Sequence, residues 1–500
     1  MNLLMLNSNR YKLPVPSIPF GLCYVAAALE NAGHDVHVLD LCFSKNPGRD
    51  ISDAVSKFQP DIIGISIRNI DTAAEYNNLF HLDRVKDDII MPIKKVFRGP
   101  IVIGGPAVGI AGAEMLSFLD LEFAICGDGE AAMVEFADRL KNNLPLDDLG
   151  GLIIRKNGKI TRENPPHRVA DIDSLPFPRQ HHFIDLKHYR KLRTPIQIQT
   201  KRGCELKCAY CTYNTVEGHK YRLRDPRKIA DEIEMIVKET GIDHFEFSDS
   251  TFNIPLDHAK AVLRAINAKK LDLNLQIMGL NPGAVDEELI SLMKESNFKE
   301  IQVGVESCSD TVLECLQKNF RKTDILKAGE IIRKSGIPVM WHIMTGAPVE
   351  TEETLKETFD TVLGIASPWD IVVVMNAIRA YKGSQVTALM QKENPGCNKD
   401  NFLRPLFYSP KNISIEAMRV FNKRVAFRNP NVLFPDEVQR VPFILLKIAS
   451  ATMRLVAPQN PWWQFNIFIN RLQKRLAITA LRRFLYERRV KKISKTLKTS

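Results

Sequence analysis

The sequence has no uninterrupted apolar run long enough to cross a bilayer, so we expect no transmembrane helix. The first apolar run, Met1–Leu6, has no basic residues before it, and we expect a β-strand there instead of a cleavable signal peptide. Cysteine is scarce, with 9 residues in 500, and three of them lie close together. This usage argues against a disulfide-built extracellular fold and favours a reducing compartment, so we expect a cytoplasmic protein.

Acidic side chains are almost absent from the C-terminal segment, although the whole chain has an ordinary 25% of charged residues. From Arg471 to Lys498 there are eleven Lys and Arg residues and one acid, so this segment carries most of the net charge of +11. The aromatic run Pro461–Ile469 precedes it. Two interpretations stay open: an amphipathic helix on the inner face of a membrane, or a helix packed on the body with a solvated basic face. Basic residues confined to one terminal segment do not indicate a nucleic-acid partner.

Three cysteines form the strongest chemical pattern in the chain. Cys204, Cys208 and Cys211 follow directly after the alternating run Ile196–Gln199. Thiolates are the preferred ligands of iron–sulfur clusters, zinc and copper(I). No fourth ligand follows at zinc-finger spacing, so a metal centre here would keep one coordination position for an exchangeable molecule. A zinc site and three unrelated thiols are the alternatives.

The spacing Cys-x3-Cys-x2-Cys, with Tyr210 before the third cysteine, is similar to the signature of the radical S-adenosylmethionine (radical SAM) superfamily. The resemblance implies a [4Fe–4S] cluster on Cys204, Cys208 and Cys211, with SAM chelating the remaining iron. It also implies that a reductant such as flavodoxin or ferredoxin reduces the cluster. SAM is then cleaved to methionine and a 5′-deoxyadenosyl radical.

Strand-like and helix-like segments alternate through residues 1–150. Strands are predicted at Leu3–Asn7, Val36–Asp40, Asp61–Ser66, Ile101–Ile103 and Phe123–Cys126, with helices between them. This alternation predicts a doubly wound parallel sheet with helices on both faces. Ligands of such sheets bind beyond the carboxyl ends of the strands, where small and polar residues gather in this chain.

These strand ends resemble the cobalamin-binding domain that precedes many radical SAM domains. The matching segments are Pro19–Gly21, Gly33–Asp40, Gly104–Pro106 and Gly127–Glu130. The resemblance implies cobalamin contacts from Asn7, Gly21, Ser66, Arg68, Asn69, Gly104, Gly105, Gly127, Gly129 and Glu130. The Asp-x-His-x-x-Gly motif, which supplies a histidine ligand to cobalt in many cobalamin enzymes, is absent. We expect His34 and His37 to be packing or surface residues, and a domain that only shapes a substrate pocket is the alternative.

The rest of the chain predicts three further parts of an α/β protein. Residues 151–190 are proline-rich and are predicted to form a linker. Residues 191–385 contain about six strand–helix units, too few for a closed barrel, which suits the partial (β/α)6 radical SAM barrel that the resemblance implies. Residues 386–500 are predicted to be mainly helical. The implied SAM contacts are Tyr210, Ser248, Asp249, Glu306, Ser307, Gly346 and Pro348, with Asp249 accepting from the SAM ammonium; helix caps or surface acids are the alternative.

The resemblance implies a fold with two cofactors facing one cleft. The activity that it implies first is methylation of an unactivated carbon of a hydrophobic or small-molecule substrate. Radical cyclisation, rearrangement or oxidation without methyl transfer is the alternative. An RNA methylthiotransferase would need a second cluster in the first domain, where only the scattered Cys23, Cys42 and Cys126 are present. A non-enzymatic electron carrier is the remaining hypothesis.

Overall fold

The computed structural model describes residues 1–13, 15–394, 402–434, 461, 463, 464 and 467. The chain divides into two compact units. The first comprises Met1–Gly279, Ser291–Asn297 and the described part of Arg379–Phe407, and the second comprises Leu280–Ile290, Phe298–Ile378 and the described residues from Tyr408 onward. The boundaries predicted at residues 150, 190 and 385 stay a prediction.

The N-terminal half of the first unit alternates strands and helices. Its elements are β1 Asn2–Asn7, α1 Phe20–Asn31, β2 Asp35–Asp40, α2 Pro47–Phe58, β3 Ile62–Ser66, α3 His81–Val85, α4 Met91–Val96, β4 Ile101–Gly104, α5 Pro106–Leu119, β5 Phe123–Ile125, α6 Gly129–Lys141, β6 Leu152–Lys156 and β7 Lys159–Glu163. A π-helical turn, Lys86–Ile90, joins α3 to α4. This widened turn lies just before Pro92, which has no amide hydrogen to donate to the helix.

One seven-stranded sheet organises this half, in the order β2-β1-β3-β4-β5-β6-β7. The first five strands are parallel, and their carboxyl ends stand level, since Asn7 pairs with Ser66 and Ser66 pairs with Gly104. Leu3 and Met5 face the core beneath α1 and α6, whereas Leu4 and Leu6 face the core beneath α2 and α5. The predicted doubly wound fold is confirmed, with all the small and polar strand ends on one edge.

The hairpin β6–β7 belongs to this sheet and not to the predicted linker. Its turn is formed by Asn157 and Gly158, which both have the positive φ that a tight hairpin turn needs. The pairing of this hairpin with the sheet was not predicted. Strand β6 pairs antiparallel with β5 and buries Leu152, Ile153 and Ile154 in the domain core. The apolar face of β6 requires a partner, and the open edge of β5 supplies it.

Residues 172–277 complete the main part of the first unit. The elements are a 3-10 turn Ile172–Ser174, α7 Gln180–Phe183, α8 Lys187–Lys191, β8 Ile196–Ile198, β9 Lys201–Arg202, α9 Tyr213–Glu217, β10 Arg222–Leu223, α10 Pro226–Thr240, β11 His244–Phe247, α11 Leu256–Ala268 and β12 Asn274–Ile277. Strands β8, β11 and β12 form a parallel sheet in the order β12-β11-β8. The short strands β9 and β10 pair antiparallel, and they bracket the cysteine motif.

The remaining elements continue the alternation. They are a 3-10 turn Pro282–Ala284, α12 Glu287–Glu295, β13 Ile301–Glu306, α13 Asp310–Cys315, α14 Lys322–Ser335, β14 Val339–Met344, α15 Glu352–Ile365, β15 Ile371–Met375, β16 Ile378–Arg379, α16 Gln385–Glu393, β17 Phe407–Tyr408, α17 Ile415–Arg428 and β18 Val432–Leu433. In the second unit β13, β14, β15 and β18 form a parallel sheet in that order. The six predicted strands are thus present in order, and β18 is an additional strand that the sequence analysis missed.

The described residues of 379–407 belong with the N-terminal sheet. The guanidinium of Arg379 is buried and donates to Asp71 at 3.0 Å and to the carbonyl oxygens of Phe402 and Leu403 at 3.1 and 3.2 Å. Leu403 itself is part of the core beneath α2 and α5. The end of the predicted barrel (191–385) and the start of the predicted C-terminal region (386–500) are therefore held within the first unit by contacts of one buried arginine.

The aromatic run predicted at Pro461–Ile469 is described at four positions, and two of them are core residues. Trp463 and Ile467 are buried against Ile371, and the indole N–H of Trp463 donates to the Glu300 carboxylate at 2.7 Å. Trp463 is therefore not available as a membrane anchor, which favours the packed interpretation of this run. The basic segment 471–498 lies outside the described residues. No helix in the described part of the chain is both long and apolar enough to traverse a bilayer.

Replacing Trp463 with phenylalanine is expected to lower the free energy of unfolding by about 1–3 kcal/mol, because the buried Glu300 carboxylate loses a hydrogen-bond donor. Burial already raises the pKa of Glu300. Chemical denaturation measures the loss, and Trp369→Phe is the control, since Trp369 is 46% exposed. Equal effects of the two substitutions would show that Trp463 is not held in the core.

Candidate functional site

The three predicted cluster ligands lie on one loop, residues 203–212 between β9 and α9, called the cluster loop below. Cys204 is buried, and Cys208 and Cys211 are partly exposed. The loop turns at Gly203, whose φ is +88° and where a Cβ atom would overlap the carbonyl oxygen of Lys220. Its middle is fixed by the amide of Val386, which donates to the carbonyl oxygen of Ala209 at 3.0 Å.

The cluster loop offers three thiols as its metal-binding donor set. Among the described residues, no three His, Cys, Asp or Glu side chains converge as they would around one metal ion. In a [4Fe–4S] cluster each cysteine binds a different iron atom, so the three thiolates surround a cube instead of pointing at one centre. One buried and two partly exposed thiols on a single loop are consistent with that arrangement, and the ligand assignment stays a prediction.

Asp249 was predicted to accept a hydrogen bond from the SAM ammonium, but in the structure its partners are Thr200 and Lys201. Its carboxylate accepts from the backbone and hydroxyl of Thr200 at 2.8 and 2.6 Å, and the ammonium of Lys201 lies 3.6 Å away. All of these groups are buried. Asp249 at the end of β11 therefore fixes the start of β9 and, through it, the cluster loop, while a contact with SAM stays a prediction.

The neighbouring predicted residues differ in what they offer. Ser248 is buried and its backbone and hydroxyl both donate to the carbonyl oxygen of Ile198, so it also serves the sheet. Tyr210 is partly exposed beside Cys211. Sequence analysis did not select Ser250, whose hydroxyl oxygen is buried with no hydrogen-bond partner among the described residues. An unpartnered hydroxyl at the end of β11 is a better candidate for a ligand contact than the saturated Asp249.

The other four predicted SAM contacts belong to the second unit. Glu306 ends β13 with a φ of +55° at a shift in strand register, and Lys318 lies 2.9 Å from its carboxylate. The Ser307 hydroxyl lies 2.9 Å from that of Thr358 in the interior, so it is already partnered. The backbone of Gly346 needs its φ of +100°, because a Cβ atom would lie 2.9 Å from the Cα atom of Ala377. Pro348 is partly buried in the same loop.

Nine of the ten predicted cobalamin contacts line one cleft at the carboxyl edge of the N-terminal sheet, called the cofactor cleft below. They are Asn7, Gly21, Ser66, Arg68, Gly104, Gly105, Gly127, Gly129 and Glu130. Asn69 lines a neighbouring pocket instead. His34 and His37 do not line the cofactor cleft: His34 lies 3.4 Å from Asp138, and His37 packs on Phe58. The expectation that these two histidines are packing or surface residues is confirmed.

The glycines of the cofactor cleft have two different roles. Gly105 has a φ of +99°, and a Cβ atom there would lie 2.8 Å from the carbonyl oxygen of Ile67. Gly127 has a φ of +97°, and a Cβ atom would overlap the carbonyl oxygen of His167. These two turns need glycine for the protein's own backbone. A Cβ atom at Gly21 would meet nothing within 4 Å, so this glycine keeps the cleft open.

The cofactor cleft has an apolar interior and a polar mouth. Its interior extends between the sheet and the helices α1 and α6, among Met5, Leu22, Val25, Val102 and Met133. The cleft has a cavity volume of about 210 Å³ and is open to solvent at its mouth. An apolar slot beneath a polar rim fits cobalamin, which has a planar heterocyclic base and a ring that carries amide groups.

Four residues that flank the cluster loop line the same cleft: Gln199, Arg202, Val216 and Glu217. Arg202 is 7% exposed and donates to both carboxylate oxygens of Glu130 at 2.6 and 3.2 Å. Asp128 lies 3.2 Å from Arg202 and also pairs with Arg222. Glu130 is therefore used in a buried ion pair, which ties the loop after β5 to the start of the cluster loop. Sequence analysis missed Arg202, although an arginine two positions before the first cysteine was visible.

Glu217 is expected to make stability depend on pH. Burial raises the pKa of Glu217 from 4.5 to about 7, and nearby Arg202 offsets only part of that shift. Because the native state holds this proton more tightly than the unfolded chain, the contribution of Glu217 is present below about pH 4.5 and is lost as the pH rises through about 7. Urea unfolding of the wild type and Glu217→Gln between about pH 5 and 8 tests this. Parallel stability curves for the two proteins would contradict the shifted pKa.

Comparisons with known proteins agree with this geometry. Residues 198–362 match the model of the radical SAM superfamily, and residues 10–137 match that of the B12 binding domain. An uncharacterised methyltransferase of Pyrococcus horikoshii is 26% identical over 68% of this chain and 72% of its own. Cytidylyl-2-hydroxyethylphosphonate methyltransferase of Streptomyces wedmorensis is 27% identical over 70% of this chain and 74% of its own.

A solved structure has the same fold. The radical SAM methyltransferase TsrM from Kitasatospora setae superposes with a TM-score of 0.72 at 22% identity, covering 79% of this chain and 77% of its own. The B12 match covers the strand ends of the cofactor cleft, and the radical SAM match begins at Ile198 and includes all three cysteines of the cluster loop. The chain combines a B12 binding domain with a radical SAM domain, and it is an enzyme whose cofactors are a [4Fe–4S] cluster, SAM and cobalamin.

Proposed function

We propose that this enzyme is a cobalamin-dependent methyltransferase that methylates an unactivated carbon of a small-molecule substrate. The observation that carries the proposal is the composition of the cofactor cleft. Strand ends of the B12 binding domain and residues that flank the cluster loop line the same space, including Ser66 and Gly104 on one side and Gln199 and Glu217 on the other. Two cofactors served by one cleft can act on one substrate.

The cofactors supply the demanding chemistry, namely a transferable methyl group and a radical that removes a substrate hydrogen atom. The protein chain positions the loops that surround the cofactors. Arg202 holds Glu130 and Asp128 across the cleft wall, and Asp249 holds Thr200 at the start of the cluster loop. Both sets of contacts are buried, so water does not compete for them. The relatives named as methyltransferases support the same class of reaction.

The methylthiotransferase hypothesis has little support. It would need a second cluster from Cys23, Cys42 and Cys126, but these three cysteines are not on one loop: they lie within α1, after β2 and after β5. Cys126 also donates to the carbonyl oxygen of Val108 at 3.4 Å, within its own domain.

Radical chemistry without methyl transfer remains the second candidate function, because relatives also include an anaerobic magnesium-protoporphyrin IX monomethyl ester cyclase of Synechocystis, 24% identical over 64% of this chain. Product analysis separates the two. The protein is reconstituted anaerobically with iron, sulfide and hydroxocobalamin and is then given SAM and a reductant. Mass spectrometry follows 5′-deoxyadenosine and S-adenosylhomocysteine. Formation of both products supports methyl transfer, and formation of 5′-deoxyadenosine alone supports the second candidate. The absence of both products would contradict the proposal.

A further inference from the structure

The parallel sheet β8–β11–β12 has two unlike faces. One face is apolar and at most 1% exposed at Ile196, Ile198, Phe245, Phe247, Leu275 and Ile277. The other face carries polar side chains in register, since Glu246 pairs with Gln197 on one side and with Gln276 on the other. These three residues are called the polar row below. A buried sheet face that presents amides and a carboxylate needs polar partners.

Part of that need is met inside the sheet. The amide of Gln276 donates to the Glu246 carboxylate at 2.7 Å, and a ring nitrogen of His244 lies 3.0 Å from the Gln276 oxygen. Gln197 is only 5% exposed, yet its side-chain oxygen accepts no hydrogen bond from the described residues. A buried acceptor without a donor costs about 1–3 kcal/mol, so this oxygen is suited to a donor brought by a ligand.

The polar row borders the cofactor cleft. The amide of Gln197 donates to the hydroxyl of Ser17 at 3.0 Å, and Ser17 lines the cleft. Two positions further along the chain, Gln199 lines the cleft directly. Arg68, also in the lining, experiences the charge of Glu246: burial lowers the pKa of Arg68, and the carboxylate opposes that shift. All of these residues lie within the first unit.

Resting on the methyltransferase function proposed above, we infer that the polar row is a substrate subsite, and that the substrate is a polar small molecule with an amine or hydroxyl group that donates to Glu246 and Gln197. The row offers acceptors, a carboxylate and a carbonyl oxygen, so it selects hydrogen-bond donors. A lipid-like substrate would leave the side-chain oxygen of Gln197 buried without a donor. The burial of Trp463 also removes one reason to expect a membrane-borne substrate.

The test follows the transferred methyl group. Reconstituted enzyme receives trideuteromethyl SAM, a reductant and either the aqueous or the chloroform-soluble fraction of one extract of the native cells. Mass spectrometry then searches for deuterium-labelled products. The inference predicts a labelled product in the aqueous fraction. Label in the chloroform fraction would overturn the inference while leaving methyl transfer intact, and no label in either fraction would overturn the proposed function itself.

Two variants tie the result to the polar row. Glu246→Gln and Gln276→Leu are each expected to reduce the labelled product by about tenfold or more, as loss of a hydrogen bond to a charged group does. Glu330→Gln is the control, since Glu330 is an exposed residue of α14 paired with Lys334, and its yield should match the wild type. Unchanged yields in both polar-row variants would overturn the inference. Denaturation curves of each variant show whether a loss reflects unfolding.

Discussion

Replacing Cys208 with alanine is expected to reduce the formation of 5′-deoxyadenosine to background. Cys208 occupies the middle of the three-thiol motif on the cluster loop and is partly exposed. A cluster held by two thiolates loses iron and no longer presents one open iron to SAM. Iron content and 5′-deoxyadenosine yield, measured after anaerobic reconstitution, check the prediction together.

Cys315→Ala is the matched control, because Cys315 is also partly exposed but lies on α13, far along the chain from the motif. Its iron content and SAM cleavage should equal those of the wild type. If Cys208→Ala kept full iron and SAM cleavage, the assignment of Cys204, Cys208 and Cys211 as ligands would be wrong.

Replacing Arg202 with methionine is expected to lower the free energy of unfolding by about 3–5 kcal/mol, the usual effect of removing one partner from a buried ion pair. Arg202 donates to both oxygens of Glu130, and both side chains are less than 10% exposed. Methionine keeps much of the side-chain length but leaves the Glu130 carboxylate buried without its cation. Urea unfolding measures the loss.

The double variant Arg202→Met, Glu130→Gln distinguishes two causes of the lost stability. One is the unpaired buried charge of Glu130, and the other is the lost packing of the Arg202 side chain. Removing the carboxylate charge should recover part of the stability, and the double-mutant cycle gives the coupling energy. Arg139→Met is the surface control, since Arg139 pairs with the exposed Glu135 and Asp148 and its loss should change stability little. A loss in Arg202→Met no larger than that of Arg139→Met would contradict the buried pairing.

The strand positions of the first domain were predictable because buried parallel strands are continuous apolar runs. Ile62, Ile63 and Ile65 of β3 are at most 2% exposed, and their apolar side chains mark the strand in the sequence. The cysteine motif was predictable for a related reason, since all its ligands lie on one short loop. Gly105 and Gly127 lie at the strand ends that the sequence indicated, and the structure adds that the backbone itself requires glycine at both positions.

Long-range pairs were not predictable. Arg202 and Glu130 are 72 positions apart, and Arg379 and Asp71 are 308 positions apart. A sequence shows that a charge exists, but only the fold decides which opposite charge it meets. Asp249 illustrates the limit: its place at a strand end was predicted, yet its carboxylate is occupied by Thr200.

The most direct test of the account is the cofactor content of one chain. After anaerobic reconstitution with iron, sulfide and hydroxocobalamin, followed by gel filtration, iron, cobalt and zinc are quantified against protein. The account predicts about four irons and about one cobalamin per chain, as expected for a single [4Fe–4S] cluster beside one cofactor cleft. Zinc in place of iron, about eight irons, or no retained cobalamin would contradict it.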